Sequence, residues 1–275
     1  WFFISFGKGF KMKAAILITA RLKSTRLPMK VIKPIHGKPM IVHMLDRLKL
    51  AREPEEIIIC TSTVSQDDPL EAIAQEEGVK CFRGDPEDVL LRLTNAAKSF
   101  DIETAIICTA DNPFVDPIYV DKLYQNHVNQ KNEFTKVDEL PWGISSFAVS
   151  YDALKKVCDL KDETNTEVWP SYFTETGYFK CGVLKVADNL LRWPELRLTV
   201  DTVEDFLVIT RIFDELNDSN NVFPLSEIVN LCRQNPDIPA INKNVQQKAG
   251  KPIKLKNGLS ADAYAWARNK DTKQD

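Results

Sequence analysis

The sequence has few of the residues that build metal centres, disulfide frameworks and membrane spans. It contains only three histidines and six cysteines in 275 residues, and no Cys/His pair has the spacing of a zinc site. No apolar run approaches the roughly 18 residues that cross a bilayer. The cysteines are scattered and several lie within apolar runs, so we expect reduced thiols and a cytoplasmic location.

The chain also lacks an excess of positive charge. Lysine and arginine number 36 against 39 acidic residues, which gives a net charge of -3. Proteins that bind nucleic acids usually carry a strongly basic face. We therefore expect neither a nucleic acid nor a membrane as partner. The dinucleotide-binding pattern G-x-G-x-x-G is also missing after the first expected strand.

Short apolar runs alternate with segments that carry helix-start signals. Strands are expected at residues 15–18, 56–61, 79–82, 104–109 and 197–201, and helices are expected to begin near Pro39, Asp68, Asp85-Pro86 and Asp116-Pro117. His43 falls off the apolar stripe of the first helix and is expected to be exposed. This alternation predicts an α/β fold with a doubly wound, mostly parallel sheet between two helix layers.

Composition suggests three parts of unequal size. Residues 1–12 are interpreted as an extension or tag, residues 13–235 as the main domain, and residues 236–275 as a polar tail whose last six residues are expected to be disordered. Within the main domain, residues 129–185 are rich in aromatic side chains. These aromatics fit either a core cluster or an oligomer contact.

A basic loop follows the first expected strand. Arg21, Lys23, Arg26 and Lys30 lie within ten positions, and four cations on one loop repel each other unless an anion joins them. A solvated loop is one interpretation. The other is a triphosphate site, because ligands of open α/β sheets bind beyond the carboxyl ends of the strands.

Two aspartates, Asp111 and Asp201, follow expected strands at the same edge of the sheet. Each has an ordinary structural explanation, since an acid can form a turn or complement a helix dipole. Mg²⁺ is often held by one or two carboxylates together with substrate phosphates. Two acids facing four cations therefore point to a metal–nucleotide site.

The pattern A-R-x-x-S-T-R-L-P-x-K from Ala20 to Lys30, followed by I-x-G-K-P-M, carries a family resemblance. It resembles the sugar-acid cytidylyltransferases, which include the CMP-Kdo and CMP-sialic-acid synthetases and the spore coat polysaccharide biosynthesis protein F group. The resemblance implies a Rossmann-like nucleotidyltransferase fold and the following roles. Mg²⁺ is held by Asp111 and Asp201, the triphosphate by Arg21, Arg26 and Lys30, and the nucleotide is also contacted by Ala20, Ser24, Arg83 and Thr109.

The same resemblance implies the reaction. CMP would pass from CTP to a nonulosonic or ulosonic sugar acid for surface polysaccharide or glycan biosynthesis, with release of pyrophosphate and with Arg21, Lys30, Asp111 and Asp201 as catalytic residues. Residues 129–185 would form the acceptor segment and the arm of a homodimer. The chain departs from the family pattern at Met29, where the family has glycine, and after Gly143, where the spore-coat group has an acid.

Two other functions stay open from the sequence. A glycosyltransferase that consumes a nucleotide sugar could use the same type of sheet, although Asp111 is followed by Asn112 and Pro113 and not by the Asp-x-Asp metal motif. A non-catalytic nucleotide-binding paralogue is the second alternative. It would bind the nucleotide without releasing pyrophosphate.

Overall fold

A seven-stranded sheet with helices on both faces forms the framework of the chain. The structure is a computed structural model and describes residues 13–216, 222–247, 252–256 and 259. The predicted extension 1–12 and the predicted disordered end at residues 270–275 lie outside this description. The strands are β1 Ala14–Thr19, β2 Pro34–Ile35, β3 Lys38–Pro39, β4 Glu56–Ser62, β5 Lys80–Gly84, β6 Thr104–Thr109, β7 Phe134–Asp138, β8 Phe147–Ser150 and β9 Cys181–Lys185.

Helices connect most of these strands. They are α1 Met40–Leu48, α2 Asp68–Glu76, α3 Val89–Ser99, α4 Pro117–Gln130, α5 Tyr151–Leu160, α6 Ser171–Thr174, α7 Val203–Leu216, α8 Leu225–Gln234 and α9 Asp237–Ala240. None of the helices in the described ranges is both long and apolar enough to cross a membrane. All six cysteines are free thiols.

The strand order is β5-β4-β1-β6-β8-β7-β9, and β2 pairs with β3 in a separate two-stranded sheet. Strands β5, β4, β1 and β6 run parallel, β8 runs antiparallel to both β6 and β7, and β9 is parallel to β7. Parallel strands need crossover connections, and the helices supply them. The predicted mostly parallel, doubly wound sheet is therefore confirmed.

The central strand β1 shows why the sheet is covered on both faces. Ala14, Ile16 and Ile18 belong to one apolar core, whereas Ala15 and Leu17 belong to the other. Successive side chains of a strand point to opposite faces, so a continuous apolar run has to bury both of them. The larger core contains α1, α4, α7 and α8, and the smaller one contains α3 and α5.

The aromatic residues of the 129–185 segment form an intrachain core. Phe134, Phe147, Trp169 and Phe173 make stacked and edge-to-face contacts with ring centroids 5.1–6.4 Å apart. Trp169 and Phe173 are buried within the chain. Of the two interpretations of these aromatics, the structure supports the core cluster, and the homodimer stays a prediction.

His43 is buried, and its predicted exposure is wrong. Its Nε2 lies 2.9 Å from the carbonyl oxygen of Ile35, and its ring lies 4.4 Å from that of Phe213. Ile35 in β2 and Phe213 in α7 cover the face of α1 that carries His43. The apolar stripe of α1 gave no sign of these contacts, because both residues lie outside the helix. Burial lowers the pKa of His43, so its neutral form is favoured.

Helix α3 begins later than Asp85-Pro86, where the sequence signals placed it. The Asp85 carboxylate accepts hydrogen bonds from the backbone N–H groups of Glu87 and Asp88, at 2.8 and 2.7 Å. This local turn precedes the helix. Asp88 then caps α3 by accepting from the N–H of Leu91 at 3.1 Å.

The 197–201 segment is extended but is not a strand of the sheet, so that prediction is corrected. Its backbone pairs with loops, because Leu198 N donates to Trp142 O and Val200 N donates to Asp111 O, both at 2.8 Å. Gly143 permits this close approach, since a Cβ there would lie 2.6 Å from Thr199 N and its φ is +98°. The pairing fixes residue 201 beside residue 111.

The described part of the predicted polar tail packs on the domain. Ile238 and Asn242 are buried, and the Asn242 amide donates to the carbonyl oxygen of Arg197 at 3.1 Å. Residues 254–256 form hydrogen bonds with residues 160–162 at the end of α5. The described part of the tail is therefore packed into the folded domain.

Candidate active site

A cavity of about 870 Å³ opens at the carboxyl ends of β1 and β6. Such a volume is in the range of small-molecule sites. Eight of the nine predicted site residues line it: Ala20, Arg21, Ser24, Arg26, Lys30, Thr109, Asp111 and Asp201. The structure thus brings together residues that are up to 181 positions apart in the chain, while their roles stay predictions.

Lys30 is at the centre of the charged cluster. Its Nζ donates to Asp111 Oδ2 at 3.0 Å, to Asp201 Oδ1 at 2.9 Å and to the carbonyl oxygen of Val200 at 2.7 Å. Arg26 adds a second cation, with Nη2 2.9 Å from Asp201 Oδ1. One lysine of the basic loop is therefore held between the two predicted metal-binding aspartates.

The charges in this cluster stabilise each other against burial. Burial opposes the charged form of Lys30, but Asp111 and Asp201 outweigh it and raise the pKa of the ammonium above its ordinary value. Burial likewise acts to raise the pKa of Asp201, and the charges of Lys30 and Arg26 lower it below its ordinary value instead. Both groups are charged at neutral pH.

Arg197 and Asp205 fix the position of Asp201 through hydrogen bonds. Arg197 Nη2 donates to Asp201 Oδ2 at 2.9 Å, and its Nε donates to Asp205 Oδ1 at 2.8 Å. Asp205 is fully buried and also accepts from the backbone N–H of Asp201 at 2.9 Å. The sequence analysis missed this pair. The available signal was the Thr202-x-x-Asp205 spacing of a capping box at the start of α7.

Met29 adopts a left-handed conformation in the basic loop, with φ 57° and ψ 20°. It immediately precedes a short 3₁₀ turn, Lys30–Ile32, that carries Lys30. Left-handed backbone is the region that glycine favours. The loop therefore has the backbone geometry that a glycine would allow, although a methionine occupies the position.

Arg21 and Lys23 meet a shared acid. Glu87 Oε1 lies 3.2 Å from Arg21 Nη1 and 3.2 Å from Lys23 Nζ, and Arg21 also donates to the carbonyl oxygen of Pro86. These contacts tie the start of the basic loop to the turn before α3. Glu87 lines the cavity and was not among the predicted site residues.

The remaining predicted contacts are small or polar. Ser24 Oγ accepts weakly from the backbone N–H of Leu27 at 3.4 Å, which closes the turn of the basic loop. Thr109 Oγ1 accepts from the Asn112 side chain at 2.7 Å. Ala20 continues β1 through a backbone hydrogen bond to Cys60 at 3.2 Å. These residues line the cavity and add no charge to it.

Arg83 lies outside the cavity lining, unlike the other predicted residues. Its guanidinium donates to the carbonyl oxygens of Ser62 and Val64 at 2.9 and 3.0 Å, and forms ion pairs with Asp68 at 2.6 Å and Glu71 at 2.9 Å. These partners direct it toward α2. The structure does not support the prediction that Arg83 reaches the nucleotide.

A further wall of the cavity comes from segments that carried no recognisable motif. Its residues are Asn165, Glu167, Trp169, Gln246 and Gln247. The backbone N–H of Thr166 donates to Glu87 O at 3.3 Å, and its hydroxyl donates to Asp88 at 3.0 Å. Tertiary packing alone brings this segment to the strand ends, so local sequence patterns could not identify it.

The residues present fit a divalent cation shared with a phosphate. Asp111 Oδ1 is buried and has no hydrogen-bond partner within the described residues, so one carboxylate oxygen of the cluster is uncommitted. The part of the chain described by the structure holds no group of three or more His, Cys, Asp or Glu suited to a metal. One or two carboxylates plus substrate phosphates are a usual environment of Mg²⁺.

Comparison with known proteins assigns the family. The sequence model of the Cytidylyltransferase family matches residues 15–248 of this chain. The chain belongs to the cytidylyltransferase family. The matched range includes both aspartates, the basic loop and every described residue of the cavity lining.

Individual relatives agree with this assignment. This chain is 30% identical over 228 residues to the spore coat polysaccharide biosynthesis protein SpsF of Bacillus subtilis. The alignment covers 80% of this chain and 94% of SpsF. The chain is 34% identical over 113 residues to the 3-deoxy-manno-octulosonate cytidylyltransferase of Chloroherpeton thalassium, covering 40% of this chain and 44% of that protein.

A solved structure gives the same result for the fold. The structure of a cytidylyltransferase from Leptospira borgpetersenii superposes with a TM-score of 0.76 at 26% identity, and the match covers 87% of this chain and all of that one. The predicted resemblance and the predicted fold are both confirmed.

Proposed function

We propose that this cytidylyltransferase transfers CMP from CTP to a sugar acid of the ulosonic or nonulosonic type and releases pyrophosphate. The names of two relatives, a 3-deoxy-manno-octulosonate cytidylyltransferase and a spore coat polysaccharide biosynthesis protein, support this choice of acceptor and a place in polysaccharide biosynthesis. The observation that carries the proposal is the cluster of Lys30, Arg26, Asp111 and Asp201 within one cavity.

The proposed reaction is an in-line displacement at phosphorus. A hydroxyl oxygen of the acceptor forms a bond to the α-phosphorus of CTP, the bond from that phosphorus to the bridging oxygen breaks, and pyrophosphate leaves while the hydroxyl proton is released. Lys30 and Arg26 would neutralise charge on the triphosphate, and Arg21 would do so at the other end of the loop. Positioning and charge neutralisation supply most of the catalysis in such transfers.

Asp111 and Asp201 are the residues that would hold Mg²⁺, which when bound would neutralise charge on the phosphate oxygens. Asp201 is fixed by Arg197 and by its backbone bond to Asp205. Asp111 is fixed by the backbone bond between its carbonyl oxygen and Val200 N. The chain therefore orients the Asp201 carboxylate and positions the backbone of Asp111 through contacts that do not involve the substrate.

The first test is pyrophosphate release with Mg²⁺, each of the four nucleoside triphosphates, and a panel of sugar acids that includes 3-deoxy-manno-octulosonate. We expect release with CTP and a sugar acid. CTP binding without release from any member of the panel would favour the non-catalytic alternative or an acceptor of another class. Absence of a thermal shift with every nucleotide would contradict the proposal at its first step.

Asp111→Ala is the second test. We expect turnover to fall at least about 100-fold, because removal of one electrostatic contact at a transition state costs about that much. The melting temperature should fall by only a few degrees, since the Asp111 side chain is 25% exposed and Lys30 keeps Asp201 and the Val200 carbonyl oxygen as partners. Full turnover by the variant would refute the proposed role of Asp111.

A further inference from the structure

The segment that follows α9 reaches the hydrogen-bond network around Asp201. Its composition predicts a polar tail, but Asn242 is only 2% exposed. The Asn242 side-chain amide donates to the carbonyl oxygen of Arg197 at 3.1 Å and to Asp205 Oδ1 at 2.9 Å. Gln247 lines the cavity, and its Oε1 accepts from Arg197 Nη1 at 2.7 Å. Two residues of this segment therefore contact the arginine–aspartate pair that fixes Asp201.

Asp205 is the centre of this network. It is fully buried, and its carboxylate accepts from Arg197 Nε at 2.8 Å and from Arg197 Nη2 at 3.1 Å. The backbone N–H groups of Asp201 and Thr202 also donate to it, at 2.9 and 3.1 Å. A buried carboxylate is stable only when such donors surround it. Within the described residues, Asn242 supplies the one donor to this carboxylate that is distant in the chain.

The guanidinium of Arg197 connects the segment after α9 to Asp201. Its Nε and Nη2 pair side by side with the Asp205 carboxylate, and its Nη1 donates to Gln247. Since the N–H directions of a guanidinium are fixed in one plane, these contacts determine where Nη2 can donate. Nη2 donates to Asp201 Oδ2 at 2.9 Å, and Asp201 Oδ1 lies 2.9 Å from Lys30 Nζ. The rotation of the Asp201 carboxylate therefore depends on the other contacts that Arg197 makes.

We infer that Asn242 and Gln247 are positioning residues of the active site, which act through Arg197 to orient the Asp201 carboxylate toward a divalent cation shared with the triphosphate. This inference rests on the proposed function, which gives Asp201 that cation. Residues that hydrogen-bond to the ligands of a metal typically change metal affinity or activity 10- to 100-fold when they are replaced. The effect here should be near the lower end, because Asn242 and Gln247 reach the carboxylate only through other side chains.

The test compares CTP affinity in a buffer with Mg²⁺ and in a chelating buffer, by titration calorimetry on the full chain. We expect Mg²⁺ to raise the CTP affinity of the wild type. Asn242→Ala should reduce this gain about 10-fold, and Gln247→Ala should reduce it about fivefold, as expected for the loss of one hydrogen bond. In the chelating buffer both variants should bind CTP within about twofold of the wild type, because the basic loop then holds the triphosphate.

Asn244→Ala is the matched control for the segment. Asn244 lies two positions after Asn242, but it is exposed and does not line the cavity. The gain in CTP affinity with Mg²⁺ should be the same in this variant as in the wild type. A reduced gain in Asn244→Ala would mean that any change in the segment weakens metal binding, and the specific roles of Asn242 and Gln247 would be refuted.

The remaining outcomes separate this inference from the proposed function. An unchanged gain in folded Asn242→Ala or Gln247→Ala would overturn the inference for that residue, and equal losses in both buffers would show contact with the nucleotide and overturn it as well. If Asn242→Ala does not fold, Gln247→Ala decides the test, because Gln247 is exposed. A wild type whose CTP affinity does not respond to Mg²⁺ would instead refute the proposed metal-binding role of Asp201, and one that binds no CTP would refute the proposed function itself.

Discussion

Replacement of Lys30 by methionine tests the charged cluster most directly. The change removes the ammonium that contacts Asp111, Asp201 and the Val200 carbonyl oxygen while it keeps most of the apolar stem. Removing one partner of a buried ion pair typically costs about 3–5 kcal/mol. The cost here should be smaller, because Asp201 keeps Arg26 and Arg197 as partners.

We therefore expect Lys30→Met to lower the free energy of unfolding by about 2 kcal/mol, or the melting temperature by about 4–8 °C. CTP affinity should fall about 10- to 100-fold, as expected for loss of a charge-assisted contact. Thermal unfolding in a chelating buffer and titration calorimetry with CTP measure the two effects separately.

Lys23→Met provides the matched control on the same loop. Its side chain is 65% exposed and its partner Glu87 is 42% exposed, so we expect a stability change below about 1 kcal/mol. If the Lys30 and Lys23 variants had the same melting temperature and the same CTP affinity, the cluster would not have the structural and binding importance argued for it.

Two further predictions concern a buried histidine and the basic loop. His127 is 2% exposed, and burial lowers its pKa from 6.5 to about 4. The unfolded chain therefore takes up a proton that the folded state excludes, so this contribution to stability is complete above pH 6.5 and is lost as the pH falls toward 4. The loss amounts to about 3 kcal/mol, and His127→Gln should abolish it in unfolding curves measured across that range, whereas the surface variant His36→Gln should not. Met29→Val should destabilise the protein by about 1–2 kcal/mol, because a β-branched residue is strained at positive φ, while Met29→Gly should change stability by less than about 1 kcal/mol. Equal stability of the two Met29 variants in denaturant titrations would contradict the left-handed loop.

The sequence was sufficient to predict the framework because its signals are local. The run from Thr104 to Thr109 has the bounds of β6, and the Asp116-Pro117 pair marks the start of α4. Continuous apolar strands between capped helices can bury both faces only in a covered parallel sheet. The basic loop and Asp111 follow from the same logic, since the carboxyl ends of parallel strands meet at one edge. Asp201 reaches that edge through the pairing of its segment with the loops at Trp142 and Asp111.

Local patterns were less reliable where a residue's partner is distant. His43 looked exposed because the α7 residue that covers it, Phe213, is 170 positions away. The 197–201 segment resembled a strand, but its hydrogen-bonding partners are the loops at Trp142 and Asp111. An extended apolar segment has the same composition whether it pairs with a sheet or with a loop.

The sequence by itself determined the fold class, the charged loop and the pair of aspartates, because each depends on residue type and spacing along the chain. Only the tertiary structure decided which arginines face the cavity. Arg83 and Arg92 are nine positions apart and equally basic, but Arg83 meets two acids on α2 while Arg92 is buried beneath Gly84 with one carbonyl partner. The direction of a long side chain depends on the charges around it, and packing brings those charges together from separate parts of the chain.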